Sequence, residues 1–342
     1  MNAVIWAALP QEARDTAGKR PLGPFGRVEV RLWQECGEDG GILLLAPHEY
    51  SDDERLRIVH ARHWSWVHLS SAGVDFMDLA SWPGETLLTR SWRCYAAPLA
   101  EYVLHAVLSR EWSGAVPWEQ SDPRQACAGD GAPVPEFSVG AESGVFGTRV
   151  GIAGWGEVGR RVGAVLGALG AQVVVLRRSG SDGSTAGVEV VHDPRRIVDV
   201  DHLVVALPLT ESTHRIFDRE VLRHCRPGIH IVNVSRPQLI DQEALLELCA
   251  TGRARATLDV TEPEPLPPGH PLLALPTVRI SPHIAWRSGR GGGSGMSFLD
   301  DFALLADTLA ADGDLPAGAG AAGDRHRAVE RVRTTRRQRC VA

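Results

Sequence analysis

The chain has 342 residues, 44% of them hydrophobic and 23% charged, with a formal net charge of −6. That length suits two domains better than one, the composition is that of a folded globular protein, and so mild a charge points to no particular class of partner. No run approaches the roughly 18 apolar residues of a membrane-spanning helix. Met1–Gln11 has no basic region before its apolar stretch, so a secretory leader is not expected. The six cysteines (Cys36, Cys94, Cys127, Cys225, Cys249 and Cys340) are scattered without metal-type pairing, and a reduced, cytoplasmic protein is expected.

Short apolar runs separated by polar breaks fill the first hundred residues. Ala3–Leu9, Val28–Trp33, Gly41–Ala46 and Trp66–Ser70 read as buried strands, and Asp52–Arg62 as a short helix, a parallel α/β pattern. Pro98 opens a helix that runs to about Trp112 with Leu99, Tyr102, Val103, Ala106 and Val107 on one face. Pro117–Ser143 is a long polar connection rich in Pro, Gly and Asp. A tight βαβ series follows. Its strands are expected at Arg149–Ala153, Gln172–Leu176, His202–Leu207, His230–Val234, Ala256–Val260 and Thr277–Ile280, with helices at Val158–Leu169 and Gln242–Ala250. A last helix, Phe298–Ala311, is set off by the run Arg290–Gly295, and Ala317–Ala342 is expected to be disordered.

Gly154-Trp155-Gly156-Glu157-Val158-Gly159 follows the first strand of that series and opens its helix. The first glycine permits a tight turn, the second lets the backbone approach a pyrophosphate, and the third lets helix and strand pack closely. The phosphates of a dinucleotide would then meet free N–H groups at the helix N-terminus. An NAD site usually places an acid at the end of the second strand, against the ribose hydroxyls. Here that strand ends in Arg177-Arg178-Ser179. Arginine recognises a phosphate with a planar fork, so the expectation is NADP in preference to NAD.

Three further segments each put an ionisable residue at the C-terminal end of an expected strand: Asn233-Val234-Ser235-Arg236, Leu258–Pro265 (with Asp259, Glu262 and Glu264), and Ile280-Ser281-Pro282-His283-Ile284-Ala285. Ligands of open α/β sheets gather at that edge. Together with Ser71-Ala72-Gly73-Val74-Asp75, Ala100-Glu101-Tyr102, the glycine fingerprint and Leu207–Thr213, they give residues 65–312 an order and spacing that resembles the D-isomer-specific 2-hydroxyacid dehydrogenase family.

That resemblance implies two α/β domains, Rossmann-like or flavodoxin-like. The NAD(P)-binding domain, about residues 99–284, would be inserted into a substrate domain of about 1–98 plus 285–316. It implies reduction of a small 2-oxo acid to a D-2-hydroxy acid, or the reverse. Arg236 matches the arginine that holds the substrate carboxylate and carbonyl, His283 the general acid/base, and Glu264 its carboxylate partner. Histidine titrates near neutral pH, a neighbouring carboxylate stabilises an imidazolium, and a guanidinium both grips a carboxylate and polarises a carbonyl. Asp259 matches a residue near the nicotinamide carboxamide. Ala72 and Gly73 match a loop whose N–H groups meet the substrate carboxylate. Leu207, Pro208, Thr213, Val234 and Ser235 are expected along the cofactor. A homodimer built through the Pro98 helix region is also implied, with no membrane and no nucleic-acid partner.

Some residues depart from the pattern. Pro237 stands where glycine commonly follows the arginine, so the backbone near Arg236 is expected to differ. Trp286 follows the histidine segment where a small residue is common; it either walls the pocket or packs between domains. Trp92 and Arg93 are candidates to face the substrate. Glu262 competes with Glu264, and the motif register favours Glu264. The carboxy-terminal-binding transcriptional corepressors share the fold, so a dinucleotide-sensing protein is the competing reading. The seven arginines of Asp324–Ala342 raise nucleic-acid contact as a third reading, behind an incidental extension.

Overall fold

The computed structural model describes residues 4–9, 11–35, 39–46, 62–74, 82–83, 86–111, 144–178, 183–185, 188–287 and 298–315. The expected helix Asp52–Arg62 (Arg62 apart), the connection Pro117–Ser143, the run Arg290–Gly295, the tail from Ala317, Asp75 and Ser179 lie outside them. The chain divides into two compact units, residues 1–96 with 288–342, and residues 97–287. Among the described residues no helix is long and apolar enough to cross a membrane.

The first unit is a five-stranded parallel sheet in the order β2-β1-β3-β4-β5. Its strands are β1 (Val4–Ala8), β2 (Glu29–Leu32), β3 (Asp39–Leu45), β4 (His63–Leu69) and β5 (Leu87–Arg90), and α1 (Gln11–Lys19) links β1 to β2. One face of the sheet, with Ile5, Ala7, Ile42, Leu44 and Trp66, packs against Leu299, Phe302 and Ala306 of the helix Phe298–Ala311. Those three residues recur at helical spacing and form one stripe. The Trp66 and Phe302 rings meet at 4.7 Å. Leu43, Leu45, Trp64, Val67 and Leu69 join Trp82 in a second cluster.

The second unit is an eight-stranded sheet ordered β13-β12-β11-β10-β6-β7-β9-β8. β6 (Arg149–Ala153), β7 (Gln172–Leu176), β9 (Val188–Val191), β10 (His202–Val205), β11 (Ile229–Asn233), β12 (Ala254–Leu258) and β13 (Val278–Ile280) pair parallel, and β8 (Gly183–Thr185) is an antiparallel edge. Side chains alternate between the faces. Val150, Ile152, Val173 and Val175 pack with α2 (Ala96–Glu111) and α3 (Glu157–Ala168), whereas Ala153, Val174 and Leu176 join the cluster holding α4 (Gln242–Ala250). Cover on both faces is why these strands are continuous apolar runs. Pro98 is the third residue of α2 rather than its opener; the first turn tolerates it because its N–H groups have no partner within the helix.

Candidate active site

In the second unit β6 and β10 are neighbours, yet the chain leaves them in opposite directions, to β7 on one side and through β11, β12 and β13 on the other. The pairings Ala153↔Val205↔Asn233↔Leu258↔Ile280 bring five strand ends into line. The loops that begin at Gly154, Ala206, Val234, Asp259 and Ser281 therefore leave one edge, beside the point where strand order reverses.

Gly154 takes φ +106°, and a Cβ there would stand 2.4 Å from Ala206 O. A Cβ on Gly159 would stand 2.0 Å from Gly154 O, so only glycine lets α3 sit this close to the turn. A Cβ on Gly156 would meet nothing within 4 Å. The turn thus presents bare backbone at the start of a twelve-residue helix, and this cradle fits a pyrophosphate. Trp155 directs its indole away from the turn onto Gly163, where a Cβ would come within 2.7 Å of the ring, so its backbone is what it offers a nucleotide. Glu157 would repel an anion at this position, but Arg160 pairs with it at 2.7 Å. Val158 is half-buried and packs against the core. Past β7, Arg177 and Arg178 are exposed. The Arg177 carbonyl is held by His192 Nδ1 at 2.7 Å.

The loop after β10 is closed from within. Thr213 is buried; its hydroxyl donates to Pro208 O at 2.7 Å and accepts from Thr210 N–H at 2.8 Å. It shapes the Leu207–Thr213 loop with its side chain and leaves Pro208 exposed. Ser235 Oγ donates to Leu207 O, which ties this loop to the end of β11. Val234 is buried. Asn233, also buried, accepts from Ser235 N–H at 3.0 Å and donates to Arg236 O at 2.9 Å, so its amide fixes the turn that carries Arg236. Arg236 Nη1 donates to Ser235 O at 2.8 Å. Pro237 occupies the first position of a 3-10 turn, Pro237–Leu239, where an N–H is not needed, so the departure from glycine is absorbed without a lost bond.

His283 Nδ1 lies 2.7 Å from Glu264 Oε1, and both side chains are part-exposed. A carboxylate only accepts, so Nδ1 carries the proton of that bond and Nε2 is the nitrogen left for chemistry. Glu262 faces elsewhere: its Oε1 accepts from Gln238 Nε2 at 3.1 Å, and its N–H donates to Gln242 Oε1 at 3.0 Å. His283 has φ +53°, an uncommon conformation for a residue with a side chain. Its neighbours hold it there. Asp259, 2% exposed, accepts through Oδ1 from Ser281 Oγ at 2.6 Å and Ile284 N–H at 2.9 Å, and through Oδ2 from Ala285 N–H at 2.9 Å. Trp286 Nε1 donates to His283 O at 2.8 Å. The tryptophan therefore braces the histidine's backbone, with Arg287 over its ring at 5.4 Å.

The family model "D-isomer specific 2-hydroxyacid dehydrogenase, NAD binding domain" matches residues 137–285. Residues 137–285, most of the second unit, are thus similar to the NAD-binding domain of that dehydrogenase family. The chain is similar to a glyoxylate reductase from Korarchaeum cryptofilum (strain OPF8), 35% identical over 145 residues, or 41% of this chain and 43% of that protein. It is similar to a Homo sapiens glyoxylate reductase/hydroxypyruvate reductase, 32% identical over 167 residues, or 48% of this chain and 51% of that one. The matched stretches thus span about half the length of these curated relatives. A solved D-isomer-specific 2-hydroxyacid dehydrogenase family protein from Aeromonas salmonicida subsp. salmonicida A449 superposes with a TM-score of 0.69 at 25% identity, over 93% of this chain and 98% of that one.

Within this dehydrogenase fold, the remaining candidates belong to the first unit. Ser70–Val74 is tied down through its carbonyls: Tyr95 donates its hydroxyl to Ser70 O, Arg90 its guanidinium to Ala72 O, and Ser71 Oγ to Gly73 O at 2.8 Å. The Trp92 and Arg93 main chain is held by Asp301 Oδ2, which accepts their N–H groups at 2.9 and 3.0 Å and that of Cys94 at 3.2 Å. Asn233, Ser281 and Tyr102 are residues for which sequence reasoning proposed no role of this kind. An Asn-Val-Ser run at a strand end carries a turn-forming signal for the first; the other two have no local signal.

Proposed function

We propose that this protein interconverts a small 2-oxo acid and its D-2-hydroxy acid with a nicotinamide dinucleotide, NADP in preference to NAD. The observation that carries the reading is the 2.7 Å His283–Glu264 pair, on the sheet edge that also bears the glycine cradle. The hydride chemistry is what the nicotinamide supplies when bound. Arg236 holds the substrate carboxylate and draws charge onto the carbonyl oxygen. His283 Nε2 gives the proton to the nascent alkoxide, or takes it from the alcohol in the reverse direction. Glu264 fixes the tautomer and stabilises the imidazolium. Gly154, Gly156 and Gly159 seat the pyrophosphate, and Arg177 and Arg178, exposed at the end of the second strand, take a 2′-phosphate. Ala72 and Gly73 meet the substrate carboxylate through backbone N–H groups, in a substrate domain formed by the first unit.

The test is oxidation of NADPH and NADH with glyoxylate, hydroxypyruvate, pyruvate and bulkier 2-oxo acids. NADPH is expected to give the higher kcat/KM, and His283→Ala is expected to lose at least about 10²-fold in kcat while still binding nucleotide. Near-normal turnover in that variant overturns the mechanism, and clear NADH preference overturns the cofactor choice. Tight nucleotide binding with no turnover of any acid would favour a sensor.

A further inference from the structure

The His283 segment is anchored by a hydrogen-bonded chain that starts on a different element. Tyr102, half-buried on α2, places its hydroxyl 2.5 Å from Ser281 Oγ. Ser281 Oγ stands 2.6 Å from Asp259 Oδ1. A serine hydroxyl has one proton, and an ionised carboxylate can only accept. Ser281 therefore donates to Asp259, and the Tyr102 contact has the tyrosine as donor. Burial raises the Tyr102 pKa, which keeps that donor protonated. Asp259 passes the restraint on through Ile284 N–H and Ala285 N–H, and the Ser281 carbonyl accepts from His283 N–H at 2.9 Å. One carboxylate, Asp259, thus grips both ends of the turn in which His283 takes φ +53°. A second bond, Arg279 Nη1 to Ser109 Oγ at 3.1 Å, fastens the same helix to β13 two turns further on.

We propose that Tyr102 is a positioning residue for the acid/base: its hydroxyl locks the Ser281 rotor onto Asp259, and that lock holds His283 in the left-handed conformation its proton transfer requires. Without the hydroxyl, Ser281 Oγ faces a phenyl edge and can turn to other acceptors. Asp259 then loses a donor and the turn loosens. The proposal rests on His283 as acid/base, and its test has an arm independent of turnover.

The experiment compares full-length wild type, Tyr102→Phe, Ser281→Ala and the double variant. Tyr102→Phe is expected to lower kcat roughly ten-fold, as small misplacements of a catalytic group do, with KM for the nucleotide within about two-fold. Ser281→Ala should lose a similar factor, and the double variant should be no worse than Ser281→Ala, because the two groups act in series. Amide hydrogen exchange over residues 280–287, measured without substrate, should be faster in Tyr102→Phe. Unchanged exchange there overturns the proposal whatever happens to kcat, and so does a double variant whose losses multiply. If wild type reduces no 2-oxo acid, the functional reading fails, and the exchange measurement still decides whether Tyr102 holds the turn.

Discussion

His68 and His230 lie in different sheets and share one condition: each is buried with both ring nitrogens engaged. His68 reaches Thr89 Oγ1 at 2.8 Å and Ser91 Oγ at 2.9 Å, and His230 reaches His202 Nδ1 at 3.2 Å and Thr257 Oγ1 at 2.9 Å. Burial pushes both from 6.5 down to about 3. Above pH 6.5 folded and unfolded chains both hold them neutral, and no stability depends on them. Below it the unfolded chain takes up protons that the folded one refuses, so stability falls as pH drops from 6.5 towards 3. At pH 5 each histidine costs about 2 kcal/mol by this linkage. Wild type should therefore melt markedly lower at pH 5 than at pH 7, and His230→Asn should show a smaller difference between the two pH values, whatever its absolute Tm. An equal drop in variant and wild type would rule this out. Both histidines fall in strands expected from the apolar pattern, Trp66–Ser70 and His230–Val234, but that pattern does not show which partners their ring nitrogens meet. His283 and Glu264 are legible because their chemistry sits in short motifs in order. Tyr102 and Ser281 meet across 179 positions, and no local pattern encodes such a pair.

At the scale of elements, the fingerprint makes a contrast that a plain motif match does not. Gly156 has φ −81° and ψ −161°, a conformation alanine adopts freely, and a Cβ there enters open space. Gly159 has no such room, because the obstacle is backbone carbonyl. Gly156→Ala should keep stability within about 1 kcal/mol, the range of a cap exchange, yet weaken nucleotide binding at least ten-fold (roughly 1.4 kcal/mol). Gly159→Ala should lose nucleotide binding and also about 2–3 kcal/mol of stability through overpacking. Equal stability losses in the two variants would show that the turn yields more easily than its geometry implies. Elsewhere, legibility follows the strength of the apolar pattern. Arg149–Ala153, Gln172–Leu176, Gln242–Ala250 and Phe298–Ala311 have the bounds their periodicity suggests. The helix Gln11–Lys19 does not announce itself: its inward face is mainly Ala13 and Ala17 amid charge, and only tertiary packing makes it an element. Leu87–Arg90, Gly183–Thr185 and Val188–Val191 are too short to carry a period of their own and owe their strand character to a neighbouring edge.

For the molecule as a whole, the division at residues 96 and 287 can be weighed against the cores. The two clusters of the second unit are made wholly of residues between Leu99 and Ala285. They cover both faces of the eight-stranded sheet, from Val103 and Val107 on one side to Leu245 and Cys249 on the other. A sheet so covered needs no further layer to hide its apolar surface. The glycine cradle, the Arg236 turn, the His283–Glu264 pair and the Tyr102–Ser281–Asp259 chain all lie inside 97–287 as well. The Ala72–Gly73 loop, proposed to meet the substrate, does not. A fragment of residues 97–287 should therefore fold cooperatively and bind NADPH with a Kd within roughly ten-fold, about 1.4 kcal/mol, of the intact chain. It should reduce no 2-oxo acid at a measurable rate, because it lacks the Ala72–Gly73 loop proposed to bind the substrate carboxylate. Calorimetry and a nucleotide titration of the fragment check the first part, and the NADPH assay checks the second. A fragment that melts without a cooperative transition would mean that the second unit depends on the first for its stability. A fragment that turns substrate over would mean that Arg236 and His283 suffice, and that Ala72 and Gly73 have been given a role they do not have.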